Sequence, residues 1–423
     1  MEKPIVLVIM DGVGKGDGGS GDAVAVAKTP TLDHLLATCP HTYLKAHGTA
    51  VGLPTDDDMG NSEVGHNALG CGQIYSQGAK LVGESIENGS LYASETWKDL
   101  IANAVSGKAL HFLGLLSDGN VHSNISHLIA MLKKAREMGL KKVYCHILLD
   151  GRDVPATSAL EYVDQLEVVL ASLSDAEHEY KIASGGGRMV ITMDRYEANW
   201  PMVEKGWRTH VQGEGRQFAS AKEAIETYRA ENPGMIDQDL LPFVIAKDGQ
   251  PVAKIANGDS VILFNFRGDR AQEISLAFDR KDFDKFDRGD YTGVLFAGML
   301  EYDGDLKIPT NYLVEPPVIK NTLTRFALDN CGLNDLDKFL NGTTSLATST
   351  GDPIAPFRII TDYAKKIDGD KFHIKAAFMD GQVLTDNEVT QIAALPSKEA
   401  LYAQVFGTML APITSLAVVL NQI

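Results

Sequence analysis

The strongest constraint on this 423-residue chain is an alternation of short apolar runs with longer amphipathic stretches. Residues 109–116, 142–149, 181–184, 260–266 and 291–297 read as buried strands, whereas 127–138, 159–173, 221–230 and 271–278 carry the apolar period of helices. Strands separated by helices cannot close as hairpins, so the expected architecture is a mainly parallel α/β sheet covered on both faces. A first strand is expected over Ile5-Val6-Leu7-Val8-Ile9-Met10 and a helix near residues 31–38. Linkers are expected at 78–83 and 303–317, where Gly and Pro interrupt the pattern.

Composition narrows the function classes. Hydrophobic residues make up 44% of the chain, ample for sizeable cores, and the length suggests roughly two to four domains. A net charge of −17 argues against a DNA binder or a general partner of anionic membranes, so an anionic ligand must be held by a local basic cluster. Cys39, Cys71, Cys145 and Cys331 lack CxxC spacing and are expected to be reduced thiols of a cytoplasmic protein. No signal peptide and no apolar run of membrane-spanning length is expected.

The polar chemistry gathers after the expected strands. Ser117-Asp118-Gly119-Asn120-Val121-His122-Ser123, Asp150-Gly151-Arg152-Asp153, Gly185-Gly186-Gly187-Arg188, Asp194-Arg195 and Arg267-Gly268-Asp269-Arg270 each follow one. Guanidinium forks match phosphate and carboxylate bidentately, and glycines there allow close backbone approach to a ligand. Earlier, Met59-Gly60-Asn61-Ser62-Glu63-Val64-Gly65-His66 sets a hydroxyl at the mouth of an expected helix, where unpaired N–H groups favour an anion. Ser followed by Glu is also an ordinary helix cap. Asp11, at the C-terminal end of the first apolar run, favours the chemical reading, because open α/β sheets bind ligands at that edge.

Met10-Asp11-Gly12-Val13-Gly14, Thr29-Pro30-Thr31-Leu32-Asp33 and the eight residues around Ser62 together resemble the cofactor-independent phosphoglycerate mutases, relatives of alkaline phosphatase, and the likeness continues to about Val318. The resemblance implies an isomerase interconverting 2- and 3-phosphoglycerate through a phosphoserine at Ser62, in a family that is usually monomeric. It implies substrate binding by His122, Arg152, Asp153, Arg188, Arg195, Arg267 and Arg270, with Asp153 as acid/base. It also implies two Mn²⁺ ions, for which Asp11 and Ser62 are the matching ligands. The family's other ligands, an Asp-x-x-x-His pair, an Asp-His pair and a further His, have no counterpart: after His210 the chain has one histidine, His373, preceded four residues earlier by Gly369. The family's substrate-binding lysine from the same half is missing too, and Asp33-His34 reads as a helix-surface pair.

Beyond Val318 the resemblance changes. Lys320-Asn321-Thr322-Leu323, Phe339-Leu340-Asn341-Gly342-Thr343, Asp352-Pro353-Ile354-Ala355-Pro356, Asp380-Gly381 and Leu395-Pro396-Ser397-Lys398-Glu399 are similar to the latter part of the bacterial large-subunit ribosomal protein that anchors the stalk. That likeness implies stalk proteins as partners of a C-terminal helix, expected over 400–420 with an interruption near Ala411-Pro412. From Lys320 onward, nine Lys and Arg stand against eleven Asp and Glu, a net of −2, which is not the basic excess of an independent RNA binder.

The expected whole is thus an incomplete alkaline-phosphatase-like domain with an inserted α/β transferase domain, plus a separate α/β C-terminal piece. The boundaries are 1–78 for the phosphatase-like part, 79–309 for the insert, 310–319 for the return segment and 320–423 for the ribosomal-like segment. Two functions compete: a phosphoglycerate mutase, and a non-catalytic fusion or ribosome-stalk-associated protein.

Overall fold

In the computed structural model, residues 8–317, 322–340, 349, 352, 354–364, 366, 373–379, 381–396 and 398–421 are described. Residues 5–7 of the first apolar run, 318–321 at the change of resemblance, and 341–343, 353, 369, 380 and 397 lie outside the described residues. The chain divides into two units, Lys15–Leu323 and Met1–Gly14 with Thr324–Ile423.

The larger unit is built on strands whose side chains are apolar on both faces. In β1 (Leu110–Leu116) every residue is buried, and β2 (Lys142–Leu149) is buried from its second residue onward. Such a strand needs cover on both sides. Along β1, Leu110 and Phe112 enter one core with Trp97, Leu128, Leu132 and Leu166, while Leu113 and Leu115 enter the opposite core with Val203, Trp207, Ile274 and Phe278. The remaining strands are β3 (Glu179–Gly187), β4 (Arg216–Phe218), β5 (Phe243–Lys247), β6 (Gln250–Pro251), β7 (Ser260–Leu263) and β8 (Leu295–Gly298). The sheet order is β4-β5-β3-β2-β1-β7-β8, with β6 paired to β5. The run β3-β2-β1-β7-β8 is parallel, which carries the C-terminal ends of β1, β2, β3 and β7 to one edge; β5 runs antiparallel to β3.

Several expectations need correction. Val8, Ile9 and Met10, the described part of the first apolar run, form no strand and are exposed, since such a run becomes a strand only when a neighbour satisfies its backbone groups. Residues 78–83 are no linker: they open the helix Gly78–Glu87, whose Ala79 and Val82 are buried. Gly185, Gly186 and Gly187 lie inside β3, and a Cβ on Gly187 would stand 2.3 Å from the Gln238 carbonyl oxygen, so the missing side chain admits a neighbouring loop rather than a ligand. The helices Glu95–Val105 and Trp200–Trp207 and the strands β4 to β6 were not among the expected elements.

In the smaller unit, the helices Leu323–Asn330, Ala355–Ala364 and Asp386–Ala393 accompany an antiparallel pair, β9 (Ala377–Met379) and β10 (Gln382–Leu384). Its last helix, Lys398–Leu420, runs unbroken through Pro412, correcting the expected interruption. Ala400–Leu420 has a mean hydropathy of 1.7 and is unburied, so by length and composition alone it is long and apolar enough to cross a membrane, against the expectation that no run is.

Candidate functional site

The loops after β1, β2, β3 and β7 meet at the C-terminal edge of the sheet. Asp150, 2% exposed, is their hub: it accepts from Ser117 Oγ at 2.6 Å, from the Arg152 and Asp153 amides at 3.1 and 3.0 Å, and from Arg188 Nη1 at 2.8 Å. Arg188, equally buried, donates also to Asp153 Oδ2. Breaking a buried pair of this kind by removing one partner costs about 3–5 kcal/mol, so its members lock the loop after β2 to the loop after β3.

Asp269 joins the other guanidiniums. It lies 3.0 Å from Arg267 Nε, 3.6 Å from Arg195 Nε and 3.7 Å from His122 Nδ1. Arg270 donates to the Met193 carbonyl at 2.8 Å. His122 is buried, and that burial, reinforced by the charges of Arg188, Arg267, Arg270 and Arg195, holds its imidazole well below the ordinary value and therefore neutral. Arg270 is itself shifted down, first by burial and then by Arg188. Arg152 stands exposed at the rim, close enough to add to the field on Arg270. His122 Nδ1, Arg195 Nε and Arg267 Nε face the Asp269 carboxylate without an aligned hydrogen bond, and Arg188 Nε is buried without one.

The Ser62 segment packs against this group. Asn61 caps the helix Ser62–Cys71 by accepting from the Val64 amide at 3.2 Å, which makes Ser62 its first residue rather than its cap. Ser62 is exposed, and its Oγ lies 3.3 Å from His66 Nδ1. Glu63 Oε2 comes within 3.6 Å of Arg267 Nε, and Asn120 Nδ2 donates to Asp58 Oδ1 at 2.6 Å, clasping the loop before Ser62 to the loop after β1. A cleft between the two is lined by Asn61, Glu63, Asn120 and Arg267.

His122, Arg152, Asp153, Arg188, Arg195, Arg267 and Arg270 thus share one edge with Asp150 and Asp269, whose bracing roles sequence reasoning missed. Both sat inside the strand-end clusters, where their spacing next to Arg was the available signal. Asp11 belongs to the smaller unit and Ser62 to the larger. Among the described residues no three His, Cys, Asp or Glu side chains come together as a metal group.

This edge defines the class: a parallel α/β protein with a cluster of guanidiniums at the C-terminal ends of its strands. The family model for the BPG-independent PGAM N-terminus matches residues 82–304, and a second, for ribosomal protein L10, matches residues 312–365. A probable 2,3-bisphosphoglycerate-independent phosphoglycerate mutase of Leptospira interrogans is 56% identical over 327 residues, covering 77% of this chain and 60% of the relative. The enzyme of Trypanosoma brucei brucei is 51% identical over 329 residues, with the same shares covered. Crystal structures of Leishmania mexicana phosphoglycerate mutase at low cobalt concentration align with a TM-score of 0.73 and 41% identity, covering 85% of this chain and 70% of that one. The chain belongs to the 2,3-bisphosphoglycerate-independent phosphoglycerate mutase family, and it spans about 60% of the length of these curated relatives.

Proposed function

We propose that this guanidinium-rich edge is an anion cleft that binds phosphoglycerate and that the chain carries the substrate half of a phosphoglycerate mutase, the glycolytic isomerase. The observation that carries this reading is the gathering of Arg188, Arg195, Arg267 and Arg270 around buried, neutral His122 at one sheet edge, with Arg152 beside them, five guanidiniums against the three carboxylates Asp150, Asp153 and Asp269. Arg152, Arg188, Arg195, Arg267 and Arg270 supply the charge, and neutral His122 adds a polar contact. Asp153, fixed by Arg188, is the proposed acid/base for the glycerate hydroxyls, and Ser62 the proposed phosphoryl acceptor. In this reading residues 79–309 are the transferase-like insert, 1–78 the phosphatase-like part, 310–319 the return segment and 320–423 the ribosomal-like segment. The four free cysteines accord with a cytoplasmic protein.

Turnover is a separate matter. The family's Mn²⁺ pair would flank a transferring phosphoryl group, and Asp11 with Ser62 do not make up its donor set. The polypeptide alone is therefore proposed to bind without turning over. Calorimetric titration with 3-phosphoglycerate beside a coupled mutase assay in added Mn²⁺ tests this: measurable binding with no turnover is expected, and manganese-dependent turnover at a normal enzymatic rate overturns it.

The match of residues 312–365 to ribosomal protein L10 favours a second reading, in which the C-terminal segment contacts ribosomal stalk proteins. Capture of purified stalk dimers, by a sample that fails to bind 3-phosphoglycerate, would put this reading first.

A further inference from the structure

A strained turn beside the cleft is tied to a buried hydrogen-bonded chain that runs across the sheet. His111 Nε2 lies 3.2 Å from Asp259 Oδ2, and His111 Nδ1 lies 3.0 Å from His146 Nε2. His146 Nδ1 is 2.7 Å from Ser184 Oγ, which is 2.8 Å from His210 Nδ1. His210 Nε2 is 3.2 Å from Thr192 Oγ1. His111, His146, Ser184, Thr192 and His210 are each at most 1% exposed, so water does not substitute for any link.

The chain has one consistent direction. Asp259 also receives the Ala109 and Ala256 amides at 3.0 and 2.9 Å, and an ionised carboxylate only accepts. Burial opposes its charge, but the His111 donor and these amides prevail and hold the carboxyl below its ordinary range. Burial keeps all three imidazoles neutral, with one proton each. His111 Nε2–H therefore donates to Asp259, His146 Nε2–H to His111 Nδ1, Ser184 O–H to His146 Nδ1, His210 Nδ1–H to Ser184 Oγ, and Thr192 O–H to His210 Nε2. Every donor in the line finds an acceptor.

The far end of the line is the strained residue. Thr192 sits at φ +67°, a region β-branched residues rarely enter and keep only when their surroundings over-determine it. Its amide donates to the Met202 carbonyl at 3.1 Å, and a Cβ on Gly206 would stand 2.1 Å from its hydroxyl oxygen, so the helix leaves room for the hydroxyl only because residue 206 is glycine. The residues that follow serve the cleft: the Met193 carbonyl accepts from Arg270, and Arg195 faces Asp269. Tyr196 and Glu197, at φ 61° and 55°, continue the strained turn.

We propose that Asp259, His111, His146, Ser184, His210 and Thr192 form a positioning device for the anion cleft, in which the Thr192 hydroxyl holds the left-handed turn that aims Arg195 and anchors Arg270. The proposal rests on reading the cleft as a phosphoglycerate site, and its test separates the two. Thr192→Val keeps the shape and removes the donor, so it should weaken 3-phosphoglycerate binding by calorimetry about tenfold, whereas Thr192→Ser should stay within about twofold. In an Arg195→Ala background, Thr192→Val should cost distinctly less than it does in the native protein, because a positioning residue acts through the groups it positions. Equal losses in both backgrounds, or a Ser variant as weak as the Val variant, would overturn the proposal. Ser184→Ala breaks the line at a distance from the strained turn and should reproduce the Thr192→Val loss if that variant folds poorly. If the native chain binds no 3-phosphoglycerate, the cleft reading falls. Hydrogen exchange of peptides spanning 188–199 then decides the device alone: faster exchange in Thr192→Val is expected, and unchanged exchange overturns it. Nitrogen-15 spectra of the histidines should show His111 and His146 protonated on Nε2 and His210 on Nδ1; the opposite set would overturn the direction.

Discussion

Single side chains here are decided by what their neighbours leave unsatisfied. Arg267 is braced by Glu63 and Asp269, and its charge adds to the field around buried His122. Arg267→Ala should weaken 3-phosphoglycerate binding roughly tenfold or more, a loss of about 1.5–3 kcal/mol for a charged hydrogen bond, read by calorimetry at constant salt. A second consequence concerns acid. Burial lowers His127 to about 4 and His210 to about 3, from an ordinary value of 6.5. The unfolded chain then binds protons that the folded chain refuses, so the stability these groups contribute is complete above pH 6.5 and is lost as pH falls toward 4. For His127 the loss is on the order of 3 kcal/mol. Urea midpoints should drop between pH 7 and pH 4.5, and His127→Phe should flatten that drop.

At the scale of elements, buried carboxylates join pieces that the sheet alone would not hold in place. Asp237 is fully buried, accepts from the Ala159 amide at 2.8 Å and pairs with Arg229, and so ties the start of the helix Ala159–Leu173 to the loop before β5 and to the helix Ala221–Glu231. Asp237→Ala would leave both a helix-start amide and a half-buried guanidinium without this partner, and should cost about 3 kcal/mol in urea unfolding. The helices themselves were legible: the residue range 159–173 was read directly from its apolar period and coincides with the helix found, because one face packs on the sheet throughout. The helices Glu95–Val105 and Trp200–Trp207 were not among the expected elements, although Trp97, Leu100, Ile101 and Ala104 keep helical spacing, and so do Met202, Val203, Gly206 and Trp207. The short strands β4 to β6 were missed because of their length. Each is five residues or fewer, and pairing with a neighbour, rather than pattern, makes it a strand.

For the whole molecule, Asp11 and Ser62 belong to different units, and binding and turnover are tested apart. Added Mn²⁺ should leave the coupled mutase assay at background while 3-phosphoglycerate affinity persists. Addition of the metal should likewise leave the urea midpoint within about 0.5 kcal/mol of stability, since an ion stabilises only a folded state that holds it. A manganese-dependent rise in both would mean that carboxylates beyond Asp11 complete the site.

Local order along the chain, and the kinds of residue that gather at strand ends, were determined by the sequence by itself. Apolar periods specify which segments pack, and a charge of −17 requires any anion site to be a local cluster of Arg. The partners of those arginines were decided only by tertiary structure. Asp150 and Asp269 became braces because parallel strands deliver four loops to one edge, and Gly187 became a packing contact because a distant loop approaches it. The direction of the buried histidine line likewise depends on Asp259, 148 residues from His111 in the chain. Hydrogen-bond polarity is a property of pairs, and only the fold brings such pairs within reach of one another.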